Sequence, residues 1–256
     1  MDGLLGIGRV LFAIAMVFFG LQFSIFAASL TGPVPGPPWT HGSVVVAWLV
    51  ATGFLVAGLS IAVGTMARWA SLLLGAAILL FGLVHYLPLL VARLQDPGPW
   101  TVLFELLALG GGAFVVAASF PAPPAGGFVS TLGRGGRFLI AISLVVFAVQ
   151  HFMYARFVAT LVPAWIPARL FWAYFTGAAF VAAALAIAAN KMERLAATLL
   201  GTMFLLWVVV LHVPRVAATP RNGNEVTSLF VAVAMCGVSF VLAATSGNSL
   251  KRRGAR

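Results

Sequence analysis

Eight apolar stretches run along this chain, at 5–28, 43–63, 69–91, 100–119, 137–155, 168–189, 195–213 and 226–245. Each is close to the ~20 residues an α-helix needs to cross a hydrocarbon core. Nothing else in the sequence narrows the fold as far, because a segment in lipid must satisfy its own backbone hydrogen bonds. The composition agrees: 62% of residues are hydrophobic and 8% are charged, outside the usage of soluble domains. The expected fold is an all-α polytopic membrane protein with eight transmembrane helices. The net charge of +10 comes without a polar basic face to meet phosphates, so nucleic acid is excluded as a partner and the lipid bilayer is expected instead. FAAS at 26–29 resembles a signal-peptide cleavage site, but the stretch before it is too long, lacks a basic start and has a counterpart later in the chain; it reads as a retained helix. A single cysteine, Cys236, supports neither an intramolecular disulfide nor a CxxC relay and reads as a packing residue.

The chain is internally duplicated. RVLFAIAMVFFGLQ at 9–22 aligns without gaps to RFLIAISLVVFAVQ at 137–150, with an arginine opening and a glutamine closing each. TVLFELLALGGGAFVVAAS at 101–119 aligns to TSLFVAVAMCGVSFVLAAT at 227–245, and LSIAVGTMARWASLLLG at 59–75 to LAIAANKMERLAATLLG at 185–201. Arg9 and Arg137, Gln22 and Gln150, and Arg68 and Arg194 fall in register. The units expected are a four-helix repeat at 1–120, a Pro/Gly-rich linker at 121–136, a second four-helix repeat at 137–246 and a basic tail at 247–256. Four spans per copy make the repeats parallel, related by an axis along the membrane normal.

Basic residues set the orientation. With both termini cytoplasmic, the inner side carries Arg9, Arg68, Arg134, Arg137, Lys191, Arg194, Lys251, Arg252, Arg253 and Arg256, and the outer side Arg93, Arg156, Arg169, Arg215 and Arg221. Ten against five gives a multi-pass protein with both ends cytoplasmic. His41, His85, His151 and His212 then all gather on the outer side, together with Gln22, Gln150, Glu105, Trp39, Trp165, Tyr86, Tyr154 and Tyr174. Polar groups inside a bilayer usually face a bundle interior or a cavity, so a pocket is expected there.

His85 in GLVHYLP and His212 in VVLHVP stand just before prolines in the two copies. A proline breaks the helical hydrogen-bond ladder, and an imidazole N–H would satisfy a freed carbonyl. Contact with a small molecule such as a quinone is the alternative role, and axial ligation of a haem by His85 and His212 is the minor one. His151 has Phe23 opposite it in the first copy, which favours the second repeat as the working one. Glu105, with Val231 opposite, lies in the first; it reads as a neutral carboxyl or as a partner of Arg93 or a histidine. Asp96 before Pro97 reads as a helix N-cap, and Asn222 to Glu225 has capping-box spacing. Paired catalytic carboxylates, a Ser/His/Asp set, a phosphate loop and HExxH are absent from the sequence, and four dispersed histidines without cysteine partners make no zinc site.

The second copy, with QHFMYARFVATLVPAWIPARLFWAYFTGAAFVAAALAI at 150–187 and MFLLWVVVLHVPRVAATPRNGNEVTSLFVAVAM at 203–235, resembles the DoxX-like family of small bacterial membrane proteins. The resemblance covers nearly all of 133–246, and GPPWTHG in the first copy stands where the second has VPAWIP. It implies a four-helix unit, a place in the bacterial inner membrane and a link to membrane oxidoreductases, since the family takes its name from a subunit of a thiosulfate:quinone oxidoreductase. Most members are single units, so the duplication implies a fused pair. The expected function is a membrane subunit or accessory protein of an electron-transfer assembly, with a pocket for a hydrophobic molecule, quinone by preference, held by His151, His212, Gln150, Arg215, His85, Glu105 and Gln22. A lipid or sterol-like binder or transporter, and a purely structural subunit of a larger complex, are the rival classes; no reaction is assigned.

Overall fold

A computed structural model describes residues 2–29, 44–121 and 127–253. The described residues contain no β-strand, and eight helices are long and apolar enough to cross a membrane: α1 (Gly3–Ile25), α2 (Val44–Val63), α3 (Ala67–Ala92), α4 (Pro97–Ser119), α5 (Gly127–Met153), α6 (Arg169–Ala189), α7 (Glu193–Ala218) and α8 (Gly223–Ser246). Leu73, Leu80, Ile25 and Leu185 are all more than 60% exposed on the outer surface, which suits a lipid solvent and not water. The protein is a multi-pass membrane protein. His41 and Trp39 lie outside the described residues.

The helices pack in chain order, and the first helix of each repeat then packs on the last helix of the other: α1 on α8, and α5 on α4. The repeats thus close on one another around α4 and α8, which also touch. These two are the most buried helices, with 61% of the apolar stretch of each enclosed, against 22% to 39% in the others. Small residues permit the approach. A Cβ on Gly237 would lie 2.6 Å from the Gly8 carbonyl oxygen, and one on Gly136 would collide with the Gly111 carbonyl. Close backbone packing of this kind drives helix association in lipid, where burial of apolar surface gains nothing.

The turns repeat as well. Gly64 and Asn190 both end a helix in the left-handed region, and Met66 and Met192 both start the next one with φ near 55°. Asp96 caps α4 as expected: its side chain accepts from the Gly98 N–H at 2.9 Å, with Pro97 following. At the start of α8, Asn222 accepts from the Asn224 N–H at 3.1 Å, but Glu225 turns away from its expected capping role to pair with Arg215. Helix α5 begins at Gly127, well before Arg137. The expected linker of 121–136 is therefore shorter, because Val129, Gly133 and Gly136 are buried and packing against α4 overrides the weak helix propensity of a glycine-rich start.

Candidate functional site

Both α3 and α7 change pitch near their ends. Gly82–Tyr86 and Val208–His212 are π-helical, followed by Pro88 and Pro214 in the first turn of the continuing α-helix. Proline lacks the N–H that would close an ordinary turn; the ladder instead closes one residue wider, with Leu87 N–H bonded to Gly82 O and Val213 N–H to Val208 O. Such bulges often mark functional sites. The aligned bulges pair Tyr86, not His85, with His212. The one-residue offset corrects the equivalence suggested by the two histidine–proline segments: two residues separate His85 from Pro88, and one separates His212 from Pro214.

The π-turn leaves His212 unused by the helix break. Its Nδ1 is buried and has no hydrogen-bond partner among the described residues, so the imidazole does not cap a freed carbonyl as one sequence reading holds. His212 instead lines a cavity of about 530 Å³ at the end of the bundle away from the termini, a volume ordinary for small-molecule sites. Six of its lining residues are aromatic, Phe147, Tyr154, Phe157, Phe180, Phe204 and Trp207, and Met235 also contributes.

His151 enters from the last turn of α5. Its Nδ1 lies 2.8 Å from the Phe147 carbonyl; a carbonyl only accepts, so Nδ1 carries a proton, and in the neutral form of the ring the lone pair is on Nε2. Trp207 stacks on the ring at 6.1 Å and 14°, and Phe180 meets it edge-on at 5.2 Å. In the first repeat Phe23 takes this place and stacks on Phe54, the counterpart of Phe180. Phe180 and Trp207 have aromatic counterparts in Phe54 and Phe81, whereas Ile78 stands opposite Phe204, so His151 and Phe204 distinguish the second copy.

Glu105 reaches this cavity from the first repeat because α4 packs against α5. Among the described residues it forms no hydrogen bond or ion pair, with Arg93 or with a histidine. Gln150 also lines the wall, donating from Nε2 to Thr101 Oγ1 at 3.0 Å and to Pro97 O at 3.2 Å. One cavity thus collects His151, His212, Gln150 and Glu105 of the residues expected from sequence. The other three lie off its wall. Gln22 makes the symmetry-related clamp, donating to Thr227 Oγ1 at 2.7 Å and to Gly223 O at 3.3 Å. Arg215 forks onto Glu225, with Nε 2.7 Å from Oε2 and Nη2 on Oε1. His85 packs on Phe81 at 4.8 Å and does not line the cavity with His212.

Sequence reasoning missed Trp207, Phe180, Phe204 and Thr101. Periodic aromatic residues in an apolar chain carry no signal of their own, but Thr101 and Thr227 occupy matching positions and are the partners of the matching glutamines. No group of three or more metal-ligating side chains assembles among the described residues.

A family model described as a domain of unknown function (DUF8561) matches residues 140–246. The match takes in α6, α7, α8 and most of α5, and so every cavity-lining residue except those on α4. No curated protein and no solved structure matches the chain.

Proposed function

We propose that the cavity binds a hydrophobic small molecule with a hydrogen-bonding head, of the quinone class, and that the protein serves a membrane electron-transfer assembly. The observation that carries this reading is the buried, unpartnered Nδ1 of His212 on the wall of an aromatic cavity. Leaving such an atom unsatisfied costs about 1–3 kcal/mol, an expense that a bound ligand's polar group would offset. In this reading a flat quinone ring lies in the cavity against the wall made by Trp207, Phe180 and Phe204, which pack on one another, with its oxygens toward His212, His151 and Glu105. The resemblance of residues 133–246 to DoxX-like proteins favours a redox ligand over a sterol or other neutral lipid. The distribution of lysine and arginine favours cytoplasmic termini, which puts the cavity in the outer half, and the DoxX-like resemblance favours the bacterial inner membrane.

The test is to purify the protein from its membranes in mild detergent and to quantify extracted lipids by mass spectrometry. Quinone enriched over its membrane abundance, and lost in His212→Leu, supports the reading. Enrichment of a different neutral lipid would replace it with the non-redox binder, and an empty cavity would leave the structural-subunit class standing.

A further inference from the structure

A second cavity, of about 140 Å³, lies at the opposite end of the second repeat, between α5 and α6. Arg134, Arg137 and Asn190 form its polar wall, and Phe138, Ile187 and Ala188 its apolar one. Arg137 is fastened by one nitrogen: Nη2 sits 2.7 Å from Glu193 Oε1 and 3.0 Å from Asn190 Oδ1. Glu193 is only 3% exposed, so this anchor is rigid, and the Nε and Nη1 donors make no other bond among the described residues. Arg134 bonds Thr131 Oγ1 at 3.0 Å and has no carboxylate partner among the described residues. Lys191, exposed, follows Asn190 directly.

Duplication does not explain this arrangement. Arg9, the counterpart of Arg137, turns the other way, donating from Nε to Ser119 Oγ at 2.9 Å and lying 3.9 Å over the Phe120 ring. Gly6 stands at the position of Arg134, Ala67 at that of Glu193 and Gly64 at that of Asn190.

We propose that this groove is a binding site for the phosphate headgroup of an anionic phospholipid. Two guanidinium groups on one cleft suit the oxygens of a phosphodiester, to which arginine presents paired donors. The apolar wall continues beside Phe138, which is 60% exposed on the lipid-facing surface, and gives an acyl chain its path. The groove also stands on the basic side of the protein, where basic clefts between helices meet anionic headgroups. Free phosphate shares the oxyanion chemistry but gains nothing from the apolar wall.

Native mass spectrometry of the full-length protein, delipidated in detergent, tests this. Phosphatidylglycerol and phosphatidylcholine of identical acyl chains are added separately, and inorganic phosphate is added as a competitor. The wild type should retain phosphatidylglycerol over phosphatidylcholine, and Arg134→Gln should reduce that preference roughly fivefold. Arg137→Lys keeps a cation for Glu193 while losing the paired donors, and should also lower the preference; Arg93→Gln, at the other end, and neutralisation of Lys251, Arg252 and Arg253 should leave it intact. Equal retention of the two lipids overturns the proposal, as does a preference that follows the tail residues and ignores Arg134. Displacement of phosphatidylglycerol by inorganic phosphate at equal concentration would show a soluble-phosphate site and overturn the lipid assignment.

Discussion

Gln150 of the second repeat donates to Thr101 of the first across the α4–α5 seam, at 3.0 Å, and Gln22 donates to Thr227 across the α1–α8 seam, at 2.7 Å. The two bonds are images of one another. Only the first borders the cavity that also holds Glu105, His151 and His212. The fold is thus near-symmetric in its fastenings and asymmetric in its candidate site.

Gln22→Ala and Gln150→Ala should therefore destabilise the protein by similar amounts, about 0.5–1.5 kcal/mol, read as lowered thermal midpoints in detergent. Ligand retention should fall only in Gln150→Ala. Equal retention in the two variants would show that the clamp bordering the cavity has no part in binding.

His151→Phe rebuilds the first repeat's arrangement, in which Phe23 stacks on Phe54. The variant should fold normally, since an aromatic ring remains against Phe180 and Trp207, and bind ligand at least about tenfold more weakly, the loss expected for a charge-free polar contact of 1.4 kcal/mol. Retained affinity would assign His151 to packing alone.

His212→Leu separates a working imidazole from a structural one. Removing a buried, unpartnered polar atom should leave the ligand-free protein equally stable or raise its stability by up to about 1–3 kcal/mol, while ligand binding is lost. A lowered thermal midpoint in the ligand-free variant would mean that His212 supports the π-turn after all.

Eight spans and the duplication were legible because lipid imposes length and because Arg9/Arg137 and Gln22/Gln150 stay in register through apolar sequence. Glu105 was legible as unusual but not as a neighbour of His151: residues from different repeats meet only through the α4–α5 seam, and sequence alignment pairs equivalents without saying which surfaces touch. His85 looked equivalent to His212 because both precede a proline; the π-turns fix a register that a motif match leaves free by one residue. Arg215 was drawn toward the site by proximity in sequence, whereas Glu225 holds it by a forked salt bridge. Glu225→Gln should accordingly leave ligand affinity within about twofold and lower stability by under about 1 kcal/mol, as for a partly exposed pair; a large loss of binding would return Arg215 to the site.

Gly136→Ala tests the closure of the two repeats. Its Cβ would collide with the Gly111 backbone, whereas one at the adjacent Gly135 meets nothing within 4 Å. Gly136→Ala should cost about 1–3 kcal/mol and Gly135→Ala should be neutral or stabilising through helix propensity, by thermal unfolding. Equal effects would show that the seam is slack.

The proposed function puts a quinone-class ligand in the cavity bounded by Glu105, His151, His212 and Trp207. Its most direct measurement is a titration of tryptophan fluorescence with a short-chain quinone. The wild type should show saturable quenching, the saturable part should vanish in Trp207→Phe, and it should weaken in His212→Leu and Glu105→Gln but not in His85→Gln. Quenching that is linear in added quinone, or a saturable component that survives Trp207→Phe unchanged, would contradict the account.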